Sequence, residues 1–192
     1  MSAGLSRITS PAGVLLEDAV DTDVIFPARF LLRMDKTGLG ECLFADRGLQ
    51  SQLRADDGAP LAILLAGAQF GCGSSREHAV WSLFDFGIRV VIAPSFGEIF
   101  ANNAARGGLA AIRLPRAQVA ALARSHGPLT VDLLARRITT AAGDGFAFEM
   151  DEGDRQALIN GWDEIDMIDA AHAQDITDFE RAYLARRPWL AD

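Results

Sequence analysis

Two serines and an arginine stand together at Ser74-Ser75-Arg76, behind the glycine turn Gly71-Cys72-Gly73 and ahead of Glu77-His78. At a helix N-terminus, hydroxyls, free backbone N–H groups and a guanidinium fork all favour a carboxylate or a phosphate. The same donors would hold an ionised serine oxygen, a strong base that is costly to form and useful only where water is excluded. A plainer reading of the same residues is a helix cap, because Ser74 with Glu77 three residues on has the spacing of a capping box. Asp21-Thr22-Asp23 divides in the same way, into a turn with side-chain caps or carboxylates aimed at a site.

Other chemistries fail on spacing. A dinucleotide fingerprint and a nucleophile elbow would each need glycine where Arg76 stands, and a P-loop would need a lysine before the hydroxyl residue. His78, His126 and His172 lie too far apart to suggest a metal site, and a lone histidine reads as a structural hydrogen-bond partner. Two cysteines, Cys42 and Cys72, neither build a disulfide framework nor hold an iron–sulfur cluster or a structural zinc by themselves. Cys72 reads as a small packing residue.

The elements around the serines form one strand–helix–strand unit. Leu61 to Ala66 is an apolar run with the length of a buried strand, and the glycines at 67, 71 and 73 end it. Trp81, Leu83, Phe84 and Phe86 give the following helix its apolar bulk, Gly87 stops it, and Arg89 to Ala93 reads as a second buried strand. In an open parallel sheet, ligands sit beyond the carboxyl ends of the strands, which is where this turn falls.

Elsewhere, Val14 to Val20 reads as a strand end and Val24-Ile25-Phe26 as a short apolar segment running into a loop. Residues 28–50 show no clean period and read as mostly loop with a helical turn or two, a functional or mobile stretch. Ser95 with Glu98 spells a second capping box for a helix ending at Gly107-Gly108. Leu109 to Leu114 is a strand, and Pro115 opens a helix to about Ser125. From Leu129 the pattern alternates, with a Gly-Asp-Gly turn, as two or three antiparallel strands do. Asp151 caps a helix broken at Gly161, and a last helix spans about Asp175 to Arg187, before Pro188. The fold class is α/β, a parallel-biased core with an antiparallel flap and C-terminal helices, in a single domain over residues 1–192.

A net charge of −8 over 192 residues argues against a nucleic-acid or anionic-membrane surface. No run approaches 18 apolar residues, and the N-terminal residues lack a signal-peptide pattern, so a cytoplasmic location is expected.

Three stretches carry a family resemblance: DTDVIFPARFL at 21–31, GAQFGCGSSREHAVWSLFDFGIRVVIAPSFGEIFANN at 67–103, and INGWDEI at 159–165 followed by FERAYLARRPWL. With these motifs the chain resembles the 3-isopropylmalate dehydratase small subunits of the aconitase superfamily, over nearly its whole length. That resemblance implies a swivelling β/β/α domain with a mobile substrate loop at about 28–50. It implies that Ser74 is the base removing a proton from the carbon beside a substrate carboxylate. Ser75 and Arg76 are then carboxylate binders, and Asp23 with Thr22 supplies hydrogen bonding or proton relay near the site. It also implies a partner, a large subunit that bears a [4Fe-4S] cluster whose iron acts on the leaving hydroxyl, while this chain holds no cofactor. Phe30-Leu31-Leu32 would favour an apolar isopropyl arm on the substrate, whereas Arg33 keeps a carboxylate arm open. Gly107-Gly108-Leu109-Ala110-Ala111 departs from the family's Leu-Leu-Pro ending, which suggests a looser strand entry. A hydro-lyase for another hydroxy-diacid and a non-catalytic carboxylate-binding module remain alternatives.

Overall fold

The structure, a computed structural model, describes residues 4–33, 35 and 37–190. Among the described residues there are two four-stranded sheets. The first strands, β1 (Arg7–Ser10) and β2 (Ala12–Leu15), are separated only by Pro11 and belong to different sheets. After β2 the chain makes a single helical turn, α1 (Thr22–Ile25), then an irregular stretch with 3-10 turns at Ala28–Phe30, Gly40–Cys42 and Leu49–Leu53. The parallel core follows: β3 (Ile63–Ala66), α2 (Glu77–Phe86), β4 (Val90–Ala93), α3 (Glu98–Arg106), β5 (Ala110–Arg113) and α4 (Arg116–Arg124). Next come β6 (Leu129–Asp132), β7 (Arg137–Thr139) and β8 (Gly145–Ala147), and finally α5 (Glu152–Asn160) and α6 (Glu164–Ala185).

The parallel sheet has the order β2-β3-β4-β5, and the antiparallel sheet the order β1-β6-β7-β8. Strand periodicity explains how the layers stack. In β3, Leu64 and Ala66 face one core with Val91, Ala93, Leu83 and Phe100, while Ile63 and Leu65 face the other with Ile92, Val119, Val131 and Ile138. Helices α2 and α3 cover the first face; the antiparallel sheet and α4 cover the second. Because both faces of β3 and β4 are buried, these strands are continuous apolar runs, as parallel strands in α/β proteins are.

Several local expectations are corrected. The strand expected over 14–20 occupies Ala12–Leu15, and the apolar segment at 24–26 is the end of α1, nucleated by the Asp21 side chain accepting from the Val24 N–H at 2.8 Å. Part of the 28–50 stretch is core, with Leu39, Leu43 and Phe44 fully buried. The departure from Leu-Leu-Pro leaves β5 in full register with β4, from Val90 opposite Ala110 to Ala93 opposite Arg113. The last helix starts eleven residues earlier than the sequence pattern indicates, at Glu164, because Asp163 and Asp166 form a reciprocal capping box; His172 (φ −127°, ψ 17°) then kinks it. No described helix is long and apolar enough to cross a membrane.

Candidate active site

The chain leaving β2 runs back alongside the chain leaving β3. Ala19 N–H donates to the Ala68 carbonyl at 2.7 Å, Gly71 N–H to Val20 at 2.7 Å, and Thr22 N–H to Cys72 at 2.9 Å. On the other side, Phe70 N–H donates to Ser95 at 3.1 Å and Gly97 N–H to Phe70 at 2.9 Å. The turn at 67–73 is therefore held between its two neighbours by main-chain hydrogen bonds, whatever its side chains do. Glycine is required where they meet: Gly71 has φ +73°, and a Cβ there would lie 2.3 Å from the Phe100 ring.

Helix α2 starts at Glu77, capped by Arg76 in extended backbone (φ −129°, ψ 102°) with no side-chain cap bond. The expected Ser74–Glu77 capping box therefore does not form. Gly73 at φ +89° and the extended Arg76 hold Ser74 two residues outside the cap, and the Ser74 carbonyl is taken by the Thr22 hydroxyl at 2.9 Å. The second expected box fails as well. Ser95 Oγ instead accepts from the Gln69 backbone N–H at 2.9 Å and from its side chain at 3.1 Å, and Gly97 is the cap of α3. In both places a serine with the right spacing is diverted by a turn preceding the helix. At residue 74 the consequence is chemical: an exposed hydroxyl that caps nothing.

Thr22, Asp23, Ser74 and Arg76 come together. Thr22 is 2 % exposed, so its bond to the Ser74 carbonyl is sheltered from water. Asp23, beside it on α1, pairs with the Arg76 guanidinium, whose side chain is 15 % exposed against 51 % for Asp23. A guanidinium has five donors, so an Arg76 held by one carboxylate retains N–H groups for another. Ser75, exposed, sits between Ser74 and Arg76 on the same rim.

Leu31 and Arg33 occupy a neighbouring position. Leu31 packs half-buried against the core that contains Phe26. Arg33 Nη1 donates to the Gly38 carbonyl at 3.2 Å, and its guanidinium carbon lies 5.8 Å from the Phe30 ring centroid. The connection from these residues to the serine turn passes through His78, a residue that the sequence marks only as a structural hydrogen-bond partner. Its ring stacks on Phe26 (centroids 5.5 Å apart), lies 4.8 Å from that of Trp81, and places Nε2 3.3 Å from the Arg33 carbonyl. No period or spacing announces such a bridge across 45 residues.

Nearer β2 on the same exit, Asp18 is held below the usual carboxylate range, first by the Arg116 side chain and then by the Ala68 N–H. Ser74 and Ser75 stand exposed on a rim. Cavities of about 480, 700 and 1030 Å³ are lined by residues other than Ser74, Ser75 and Arg76. Among the described residues no three or more His, Cys, Asp or Glu side chains gather as a metal site, and Cys42 is buried away from solvent.

The aconitase C-terminal domain family matches residues 13–117, which include every candidate site residue. The family for the C-terminal domain of the 3-isopropylmalate dehydratase small subunit matches residues 171–192. The chain is 41 % identical to the 3-isopropylmalate dehydratase small subunit of Rhodospirillum centenum, with 96 % of each chain covered. It is 41 % identical to that of Halalkalibacterium halodurans, with 92 % of this chain and 96 % of the relative covered. A crystal structure of 3-isopropylmalate dehydratase from Methanocaldococcus jannaschii superposes with a TM-score of 0.72 at 26 % identity, covering 90 % of this chain and 99 % of the other. The fold expected from the sequence agrees with these likenesses, and the chain belongs to the 3-isopropylmalate dehydratase small-subunit family, on the aconitase C-terminal domain fold.

Proposed function

We propose that this chain is the small subunit of a heteromeric hydro-lyase that exchanges 2-isopropylmalate and 3-isopropylmalate through 2-isopropylmaleate, in leucine biosynthesis. Its relatives carry the name of that activity. The observation that carries the reading is the meeting of Thr22 and Asp23 with Ser74 and Arg76 on an exposed rim.

In this reading Ser74 Oγ takes the proton from the carbon next to a substrate carboxylate as the hydroxyl leaves the adjacent carbon, giving the alkene. Water then returns with its oxygen on the other carbon, and Ser74 gives its proton to the carbon that lost the hydroxyl. Arg76 and Ser75 hold the carboxylate. Thr22 fixes the Ser74 backbone, and Asp23 aims the Arg76 fork. Leu31 lies against the isopropyl arm.

An exposed rim cannot keep water from an alkoxide, and a base of this kind needs a dry surrounding. Closure of a large subunit over residues 21–23 and 74–76 would supply it, together with the [4Fe-4S] cluster that the family places there. The domain assignment belongs to the same reading: one swivelling unit over residues 1–192, with a substrate loop at about 28–50. Mixing the purified chain with a cluster-bearing large subunit should give hydration of 2-isopropylmaleate that neither protein gives alone. Failure of every cluster-loaded mixture to hydrate it would reject the assignment.

A hydroxy-diacid with a carboxylate arm would need Arg33 to leave the Gly38 carbonyl and turn toward the substrate. A panel of isopropyl-, methyl- and carboxymethyl-substituted maleates separates the two.

A further inference from the structure

We infer that His78 is a positioning residue that fixes the spacing between the carboxylate clamp and the loop reading the substrate's variable arm. The inference rests on the reading above and extends it to a residue that makes no part of the clamp itself.

The clamp and the arm-reading residues belong to segments that are held in different ways. Arg76 caps α2 and is fixed with it. The residues that face the variable arm, Leu31 and Arg33, stand beyond the 3-10 turn Ala28–Phe30. Inside that segment the backbone hydrogen bonds are short-range, with Leu31 N–H donating to Ala28 and Arg33 N–H to Phe30. Those bonds shape the turn without anchoring it to anything outside. Phe30 and Leu31 pack against the core and Arg29 pairs with Asp46, but the main chain at Arg33 is tied to α2 through one imidazole. Its face stacks on Phe26, fully buried just before the loop, and its Nε2–H donates to the Arg33 carbonyl at 3.3 Å. Since a carbonyl only accepts, the ring nitrogen must be the donor.

Trp81, one helical turn on at i+3, also packs against the imidazole, with ring centroids 4.8 Å apart. Two aromatic contacts thereby orient the ring where it meets the loop. His78 lies two residues beyond Arg76, on the first turn of the same helix. A rigid path therefore runs from the clamp at Arg76, through the helix backbone and the imidazole, to the main chain of Arg33. Substrate discrimination needs a fixed distance between the group that holds the common carboxylate and the group that touches the arm, because a misplacement of about 1 Å can cost on the order of a hundredfold in rate. His78 supplies that distance without touching either end of the substrate.

Three variants test this: His78→Phe, which keeps an aromatic ring and removes the donor; His78→Gln, which keeps a donor at about the same reach; and His78→Ala, which removes both. Amide hydrogen exchange of residues 29–33 is read on the full chain alone. The KM and kcat for 2-isopropylmaleate and for 2-methylmaleate are read on the chain reconstituted with its large subunit. The phenylalanine variant should show roughly tenfold faster exchange in residues 29–33, the loss expected of one ordinary hydrogen bond. In the complex it should show a KM for 2-isopropylmaleate raised roughly tenfold, kcat within about twofold, and weaker discrimination against the methyl substrate. The glutamine variant should recover most of both effects, and alanine should exceed phenylalanine. Exchange and KM left at wild-type values by phenylalanine would overturn the inference, as would a glutamine variant as impaired as phenylalanine. Should the wild-type complex fail to hydrate 2-isopropylmaleate, the functional assignment falls while the exchange measurement still decides whether His78 holds the loop.

Discussion

Asp23 and Arg76, 53 residues apart in sequence, are an ion pair joining the first turn of α1 to the cap of α2. The pair exists because β2 and β3 are parallel neighbours whose exits run together, so each strand delivers its following helix start to the same edge. With half of the Asp23 side chain exposed, its contribution to stability is at the low end for ion pairs, under about 1 kcal/mol. Asp23→Asn should therefore shift the melting temperature by only about 3 °C or less, while weakening substrate use in the complex by roughly tenfold or more as Arg76 loses its orientation. Arg76→Lys should do worse, because an ammonium cannot make a two-pronged contact with a carboxylate. Thermal melts and steady-state kinetics on the same preparations separate the two effects.

Thr22 supports Ser74 through its backbone. Thr22→Val removes the hydroxyl and keeps the shape, leaving the Ser74 carbonyl without its 2.9 Å partner in a sheltered position. A loss of about 1–2 kcal/mol in unfolding free energy is expected, with a fall in the rate of the complex. Thr22→Ser should restore both, and equal damage from Ser and Val would show that the methyl group matters instead.

The glycines divide by what surrounds them. Gly71→Ala would put a Cβ 2.3 Å from the Phe100 ring at φ +73°, and Gly97→Ala would put one 2.4 Å from the Gly71 carbonyl oxygen. Each should cost about 2 kcal/mol or more, seen as a lower denaturant midpoint. Gly143→Ala, at φ +94° with open space around it, carries the conformational cost alone and should lose only about 1 kcal/mol.

Glu152 predicts a pH dependence away from the site. Arg155 first, then Gln156 and Arg136, hold its carboxyl at about 2, against an ordinary value of 4.5. A carboxylate whose folded pKa is depressed adds stability above its unfolded pKa and loses it as the pH falls toward the folded one. The stability difference between wild type and Glu152→Gln should therefore be constant above about pH 5 and shrink between about 4.5 and 2. Because Glu152 is exposed, the difference should also shrink in high salt; urea melts across that pH range measure both.

The parallel core was legible because its strands are apolar runs closed by glycine, and hydrophobicity and turn chemistry both operate over a few residues. Pro115, Asp151 and Gly161 mark helix ends at the places the structure has them, since caps are equally local. Ser74 and Ser95 misled for the same reason. Each has capping-box spacing, but hydrogen bonds from segments far away in sequence hold the turn before the helix. His78 was missed as a bridge because its partners, Phe26 and Arg33, reach it only through the sheet topology. Proximity of Asp23 to Arg76 came from the family resemblance, never from spacing.

Replacing the hydroxyl at residue 74 is the most direct test. In the complex with the large subunit, Ser74→Ala should lower the rate of 2-isopropylmaleate hydration by at least about a hundredfold, the scale of a positioned acid–base group, with association between the two chains unchanged. Turnover at the wild-type rate by that variant would contradict the assignment of Ser74 as the base.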